Sequence, residues 1–530
     1  MKAVQTMKRR TLLQTGALAV FGIGAGVTLS GCGGDDGGGG GGVGEDDTSE
    51  AVKITMLVLG DKPTNGRLEA MLEQLNTKLT EQVNASLELF YIEWADWQTQ
   101  YNVQLLSGDD NVDLITTATD WLFAWENAEK GAFLPLSDEM LQTYAPKTWE
   151  QVNADGNWDL CKLDDGQIYF MPEDNYTQWT NHGFFYRGDW ATEAGIANGT
   201  ITKFEEFTDY FQWVKDNQPD AFPWDVAGPN EAALTGYLAG HTDMFTVQQL
   251  SAGNYFPFQS SWSDTNKVTS WYMEGDDLLA AAQLAKQWND IGVWREDAVS
   301  YDGDTREELY AGLSGADQHH MQTFLGVYTT LNERQPGSDP KFFYWGTENN
   351  NYCRDLKTHG AMAVSANSAH PERALAVYDL LRNNEEDYRF LNFGIEGTDY
   401  VMDGDVLTYP EGYDSSTDAL GANFWGGRMD EFEPPRATDP PDKQAWFDAL
   451  DANAHDYPFS TLLFNKDTLD STLAAMGAVF SEYIPQLQYG KFDDPAAAIE
   501  EMRQKLRDAG FDDALASVQA DMDTWAQSQG

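Results

Sequence analysis

The residues from Val52 to Thr117 constrain this chain more than any others. Val52-Lys-Ile-Thr-Met-Leu-Val-Leu59 is apolar and partly β-branched, so it reads as a buried strand, and Gly60-Asp61-Lys62-Pro63 closes it with a turn. Leu68, Met71, Leu72, Leu75, Leu79 and Val83 then recur at helical spacing on one face. Ala85 to Ile92 alternates as a second strand. Trp94 to Leu106 reads as a second helix with Trp97, Tyr101 and Leu105 on one side, and Asp113 to Thr117 as a third strand. Strand–helix–strand–helix–strand dictates a parallel sheet with right-handed crossovers. Ligands of such sheets sit beyond the carboxyl ends of the strands. Here those ends are Gly60-Asp61 and the run from Thr117 to Trp121. Asp120 is at once a candidate ligand contact and a natural N-cap for a helix through Lys130.

At 530 residues the chain exceeds one ordinary domain, which implies two lobes. The net charge of −53 excludes nucleic acid as a partner, because phosphate binding needs Lys/Arg clusters. It also disfavours polyanionic ligands and predicts that added salt stabilises the fold. No Gly-x-Ser-x-Gly elbow, His-Glu-x-x-His or Cys/His cluster is present, so neither an enzyme nor a resident metal or cofactor is expected. Paired carboxylates carry no weight among 86 Asp and Glu residues. His319 and His320 are adjacent and would point in different directions on a strand or helix. Cys161 and Cys353 are compatible with a disulfide outside the cytoplasm or with two buried thiols.

The first 50 residues have another character. Lys2, Lys8, Arg9 and Arg10 precede a Gly/Ala-rich apolar run, uncharged until Asp35, that ends Leu29-Ser30-Gly31-Cys32. That layout is an export signal and not a fold element. Its end resembles a bacterial lipobox, in which the cysteine becomes the lipidated first residue, so Cys32 is the expected anchor. Arg9-Arg10 resembles a twin-arginine signal, with Leu12 and Gln14 departing from that pattern. Residues 33–50 read as a flexible Gly/Asp-rich tether spanning about 25 Å.

Further along, Gly131 to Leu136 and Gly166 to Pro172 read as loop-to-strand segments and Gly183 to Arg187 as a strand. A first crossing into lobe two is placed near Tyr186. Thr358 to Val364 reads as a returning strand, and the last part as helical, with Leu469–Ile484, Ala496–Leu506 and a final face of Leu515, Val518, Met522 and Trp525.

Several segments together resemble one bacterial family. They are Val58-Leu-Gly60-Asp61-Lys62-Pro63, Glu73-Gln-Leu-Asn76, Tyr91-Ile-Glu-Trp-Ala-Asp-Trp97-Gln-Thr-Gln-Tyr101-Asn, Lys130-Gly-Ala-Phe-Leu-Pro-Leu136, Asp165-Gly-Gln-Ile-Tyr-Phe-Met-Pro172, Ala369-His-Pro-Glu-Arg-Ala374 and Phe393-Gly-Ile-Glu-Gly-Thr-Asp-Tyr400. In this order, behind a lipobox, they are similar to the extracellular solute-binding lipoproteins of ABC importers, family 1, LipO-like branch. The resemblance covers both ends of the mature chain and is weakest between about 220 and 350.

It implies an α/β fold, a two-lobe periplasmic-binding-protein-like clamp of type II. Each lobe would be a mainly parallel sheet flanked by helices. The expected division is 1–31 signal, 32–50 lipidated cysteine and tether, 51–185 with part of the C-terminal region as lobe 1, 186–360 as lobe 2, and 361–530 as hinge return and helical region. The implied ligand is a carbohydrate or oligosaccharide. The implied partners are permease subunits of an ABC transporter and the membrane through the lipid, with the chain itself monomeric and extracytoplasmic. The rival functions are a surface glycan-binding or glycan-degrading lipoprotein, and a binder of peptides or other small solutes.

Eighteen Trp suit a sugar, whose C–H faces stack on aromatic planes while Asp, Asn and Glu take its hydroxyls. The candidate contacts are Asp120 and Trp121 after the third strand, Tyr176 and Trp179 after Pro172, Trp345 in Tyr344-Trp345-Gly346, and Trp425 in Asn423-Phe-Trp425-Gly426-Gly427. Trp94 and Trp97 are expected to pack helix on sheet.

Overall fold

A computed structural model describes residues 48–107, 112–163, 165–174, 182–228, 233–354, 356–414, 417–464 and 469–528. The export signal, Cys32 and the tether up to residue 47 lie outside the described residues. Among the described residues, no helix is long and apolar enough to cross a membrane.

The chain enters strand β1 (Val52–Leu59), crosses helix α1 (Arg67–Val83) to β2 (Ala85–Ile92), then helix α2 (Trp97–Leu106) to β3 (Leu114–Thr117). β1 pairs parallel with β2 on one side and with β3 on the other, as the alternation of elements predicts. The apolar residues of β1 from Met56 to Leu59 have no exposed surface, and Leu68, Met71, Leu75 and Leu79 form the buried face of α1. Tyr101 on α2 donates its hydroxyl to Thr116 O at 2.8 Å, fixing that helix to β3. Asp113, just before β3, accepts from Thr55 N at 2.9 Å and from Ser368 Oγ at 2.6 Å, so it ties the sheet to the returning chain.

β4 (Met171–Pro172) completes the first sheet's outer edge, and β5 (Gly183–Arg187) opens a second sheet. A small antiparallel sheet follows, of β6 (Met244–Thr246), β7 (Gln259–Ser261) and β8 (Asp264–Thr269). β9 (Ala316–His319) and β10 (Pro340–Tyr344) flank β5 on either side, both antiparallel to it. After β11 (Cys353–Arg354), β12 (Ala361–Val364) returns to the first sheet and lies between β3 and β4, antiparallel to both.

The two principal sheets therefore share one logic. In the first, β1, β2, β3 and β4 run in one direction and β12 is inverted. In the second, β9 and β10 run in one direction and β5 between them is inverted. Both inverted strands follow a passage of the chain from one sheet to the other. A strand arriving from the facing body must start at the edge where its parallel neighbours end, so the crossing itself sets the inversion. β4 belongs to the first sheet and β5 wholly to the second.

The C-terminal third is shared between the bodies. The helix Pro371–Asn383 packs on β1 and α1, whereas the helices Asp470–Gln488, Pro495–Asp508 and Phe511–Ser528 close an apolar cluster with Leu278, Ala281 and Phe245. An aromatic core with Phe184, Phe207, Phe211, Trp224 and Trp288 lies against β5. Cys161 and Cys353 are both buried free thiols, and burial raises the Cys161 thiol pKa.

Candidate functional site

The parallel strands of both sheets end, and the inverted strands begin, at edges close enough for His359 on the first to act electrostatically on His182, His319 and His320 on the second, and the space between these edges is the candidate cleft. On the first sheet this edge carries Asp61 after β1, Trp94 after β2, Asp120 and Trp121 after β3, Glu173 after β4, and His359-Gly360 before β12. The turn Trp425–Gly427 is laid across the same edge, anchored where Tyr378 donates its hydroxyl to Gly426 O at 2.8 Å. Next to it, Asn423 donates to Leu59 O at 2.8 Å and occupies the space a side chain on Gly60 would need. Gly60 itself sits at φ +134°, a conformation that favours glycine.

This docking gathers four indoles. Trp94 stacks on Trp425 with ring centres 5.7 Å apart at 21°. Trp121 lies 6.3 Å from Trp94 and 6.2 Å from Trp425, and Trp97 meets Trp121 edge-on at 5.5 Å. Trp94 and Trp425 keep 42% and 37% of their surface exposed, although ring stacking favours burial. The result is an apolar platform open to solvent. Trp94 does not pack helix on sheet as expected: α2 starts only at Trp97, with Asp96 at its N-cap, so Trp94 stays in the turn beyond β2.

Polar groups border the platform. Asp120 Oδ2 pairs with His359 Nδ1 at 2.7 Å, and Trp121 Nε1–H donates to His359 O at 3.2 Å. Asp120 Oδ1 is buried and accepts no hydrogen bond from the described residues. A buried carboxylate oxygen in that state is an acceptor held ready for a donor. Asp120 caps no helix: the next one, Ala124–Glu129, has Phe123 at its N-cap. Glu173 is buried beside Gly360, to whose carbonyl its backbone N–H donates at 2.9 Å, and burial pushes its carboxyl well above the usual range. Arg428 pairs with Asp430 at 2.9 Å, so its charge is met within the protein.

The facing edge of the second sheet carries imidazoles. His182 precedes β5, His319 ends β9 and His320 caps the helix Met321–Arg334. The rings of His182 and His319 stack at 4.9 Å, and His319 meets His320 edge-on at 4.3 Å. His320 Nδ1 accepts from Thr323 N at 3.2 Å, so a neutral ring carries its proton on Nε2. Burial pushes His182 down to about 4 and His320 to about 2, and it lowers His319 further. The nearby Arg306 guanidinium adds to this. The three rings are each half-buried. Arg306, the adjacent cation, is paired with Asp317 at 2.7 Å.

Of the residues singled out in the sequence, Asp120, Trp121 and Trp425 meet in this cleft. Tyr176 and Trp179 lie outside the described residues. Trp345 does not line the cleft: it is 3% exposed, its ring is packed on Gly236, and it meets Phe184 edge-on at 5.4 Å. It follows β10 directly and continues the aromatic core. Sequence reasoning missed His359, Glu173, His182 and Trp94. The signal for His359 was available, since a strand returning from a second lobe must begin at the ligand edge.

The family model for bacterial extracellular solute-binding proteins matches residues 68–388, more than half of the chain. The chain belongs to this family. A second model, for a domain of unknown function (DUF3502), matches residues 458–527 of this solute-binding protein, the terminal helices. A curated relative, the carbohydrate ABC transporter substrate-binding protein of Streptococcus pneumoniae serotype 4, is 23% identical over 91% of this chain and 93% of its own. Among solved structures, the N-glycan transport solute-binding protein of S. pneumoniae in complex with Man1GlcNAc has a TM-score of 0.70 at 20% identity, covering 90% of this chain and 100% of that one. The S. pneumoniae substrate-binding protein FusA in complex with kestose has a TM-score of 0.65 at 15% identity, with 90% and 100% covered. These likenesses show the two-lobe fold.

Proposed function

We propose that this solute-binding protein captures an oligosaccharide outside the cytoplasm and delivers it to the permease of an ABC importer. It acts as a binder and not as an enzyme. The observation that carries this is the open indole platform of Trp94, Trp121 and Trp425, bordered by the Asp120–His359 pair and faced by neutral imidazoles. Ring faces receive the C–H faces of a sugar, and the carboxylate and imidazole groups exchange hydrogen bonds with its hydroxyls. The cations near the cleft are already paired, which leaves little to attract an anionic glycan. The relatives are consistent with this: one is a carbohydrate transporter component and others hold Man1GlcNAc and kestose.

Tyr176 and Trp179 belong to the same proposal, as further ligand contacts. Cys32 would carry the lipid of a LipO-like lipoprotein, with residues 33–50 as tether, 51–185 with part of the C-terminal region as lobe 1 and 186–360 as lobe 2. Contacts from both lobes favour the closed form, so the ligand shifts the population toward closure.

The test is a calorimetric titration of the protein with neutral oligosaccharides, acidic oligosaccharides and short peptides, followed by small-angle scattering. Binding of a neutral glycan with a smaller radius is expected. Binding confined to peptides would discard the sugar, release of new reducing ends would make it an enzyme, and binding at unchanged radius would discard closure. Cys32→Ala is expected to release the protein from the membrane fraction, and retention there would remove the anchor.

A further inference from the structure

A second cluster of donor atoms lies on the second body, apart from the cleft residues. Glu205 comes from the turn before the helix Phe207–Asn217, His241 from the end of the helix Ala233–His241, and Glu348 from the loop after β10. One donor atom from each lies within 4.8 Å of the other two. His241 Nδ1 faces Tyr237 O at 2.8 Å. A carbonyl oxygen can only accept, so Nδ1 carries a proton. In the neutral ring Nε2 then presents a lone pair to Glu205 Oε1, 2.8 Å away. Two lone pairs at that distance repel unless a cation lies between them, either a proton or a metal ion.

Two further contacts hold the site in place. Tyr237 stacks flat on the imidazole at 3.8 Å and 11°, which fixes the direction of Nε2. Phe204 N donates to Glu348 Oε1 at 2.8 Å and fixes the second carboxylate. No Lys or Arg among the described residues pairs with Glu205 or Glu348, in a chain whose net charge is −53. A metal-binding histidine commonly anchors its other nitrogen on a backbone carbonyl, as here. One imidazole and two carboxylates suit a divalent ion of borderline softness, with water completing a tetrahedron.

We propose that Glu205, His241 and Glu348 bind one divalent cation of the Zn2+ class, which staples the loop after β10 to two helices of the second body. Donors about 2.0–2.1 Å from such an ion stand about 3.3 Å apart. Glu205 and Glu348 are both exposed, so their carboxylates can turn to reach that spacing.

The test is a titration of the metal-free protein with ZnCl2, read by calorimetry and by melting temperature, with MgCl2 and CaCl2 as controls. Glu348→Gln keeps the acceptor for Phe204 N and removes the charge, so it preserves the fold. Glu205→Gln and His241→Asn remove the other two donors. One Zn2+ per chain is expected, with a higher melting temperature and affinity falling about tenfold or more in each variant. No binding to the wild-type chain would overturn the proposal. So would unchanged binding in all three variants, or equal effects of Mg2+ and Ca2+, which would mark general neutralisation of an acidic surface.

Discussion

The two edges that face each other across the cleft are made differently. The first sheet shows exposed indole faces and carboxylates, brought together by a turn from the C-terminal part of the chain. The second shows three uncharged imidazoles above a fully packed aromatic core. Both edges hold tryptophan, yet Trp425 is 37% exposed and Trp345 is 3% exposed. Residue type therefore says little about role. Trp345 follows a strand whose face is already covered by helices, while Trp425 lies on a turn laid over open strand ends.

Exchange of roles between these two tryptophans gives the largest expected effect. Trp345→Ala should cost about 3–5 kcal/mol of stability, because it empties a filled core site. Trp425→Ala and Trp94→Ala should leave the melting temperature nearly unchanged and lower glycan affinity by about tenfold to a hundredfold. Paired melting and titration curves check this, and a stable Trp345→Ala with weakened binding would reverse the assignment.

Next in size is the Asp120–His359 pair. Asp120→Asn keeps the shape and removes the charge that assists the hydrogen bond. It should weaken glycan binding by about tenfold while the corresponding change on the other edge, His320→Gln, should alter affinity less. Equal losses would mean that both edges hold the ligand in the same way.

The pH response should separate the edges again. The fold favours neutral His182, His319 and His320, so the unfolded chain takes up protons first. Their stabilisation is complete above about 6.5 and is lost as pH falls toward about 4 for His182. Glu173 opposes this, since burial favours its protonated form in the fold and that stabilisation is lost as pH rises. His182→Gln should therefore flatten the acid-side loss in a melting series, and Glu173→Gln should steepen it. An unchanged profile in His182→Gln would mean that its ring is solvated in the free protein.

The smallest expected effect is that of reductant. Cys161 packs with the first sheet and Cys353 with the second body, each as a free thiol. No covalent tie joins the lobes through them, so dithiothreitol should leave both melting temperature and closure unchanged. A downward shift would reveal a bond between the bodies.

Much of the fold was legible in residues 52–117. Apolar periods of two and of 3.6 specify strands and helices locally, and their alternation specifies a parallel sheet with its ligand edge. That rule alone singled out Asp120 and Trp121, which the structure places directly after β3. Contacts set by neighbours in sequence are written in the pattern of the chain. The inversion of β5 and β12, the docking of Trp425 beside Trp94, the approach of His359 to Asp120 and the burial of Trp345 are not written there. Asp120 and His359 are 239 residues apart, and no local period records a pairing over that distance. Only the closure of two bodies across repeated chain crossings brings such residues together, and packing then determines which indole is covered and which is left to meet a ligand.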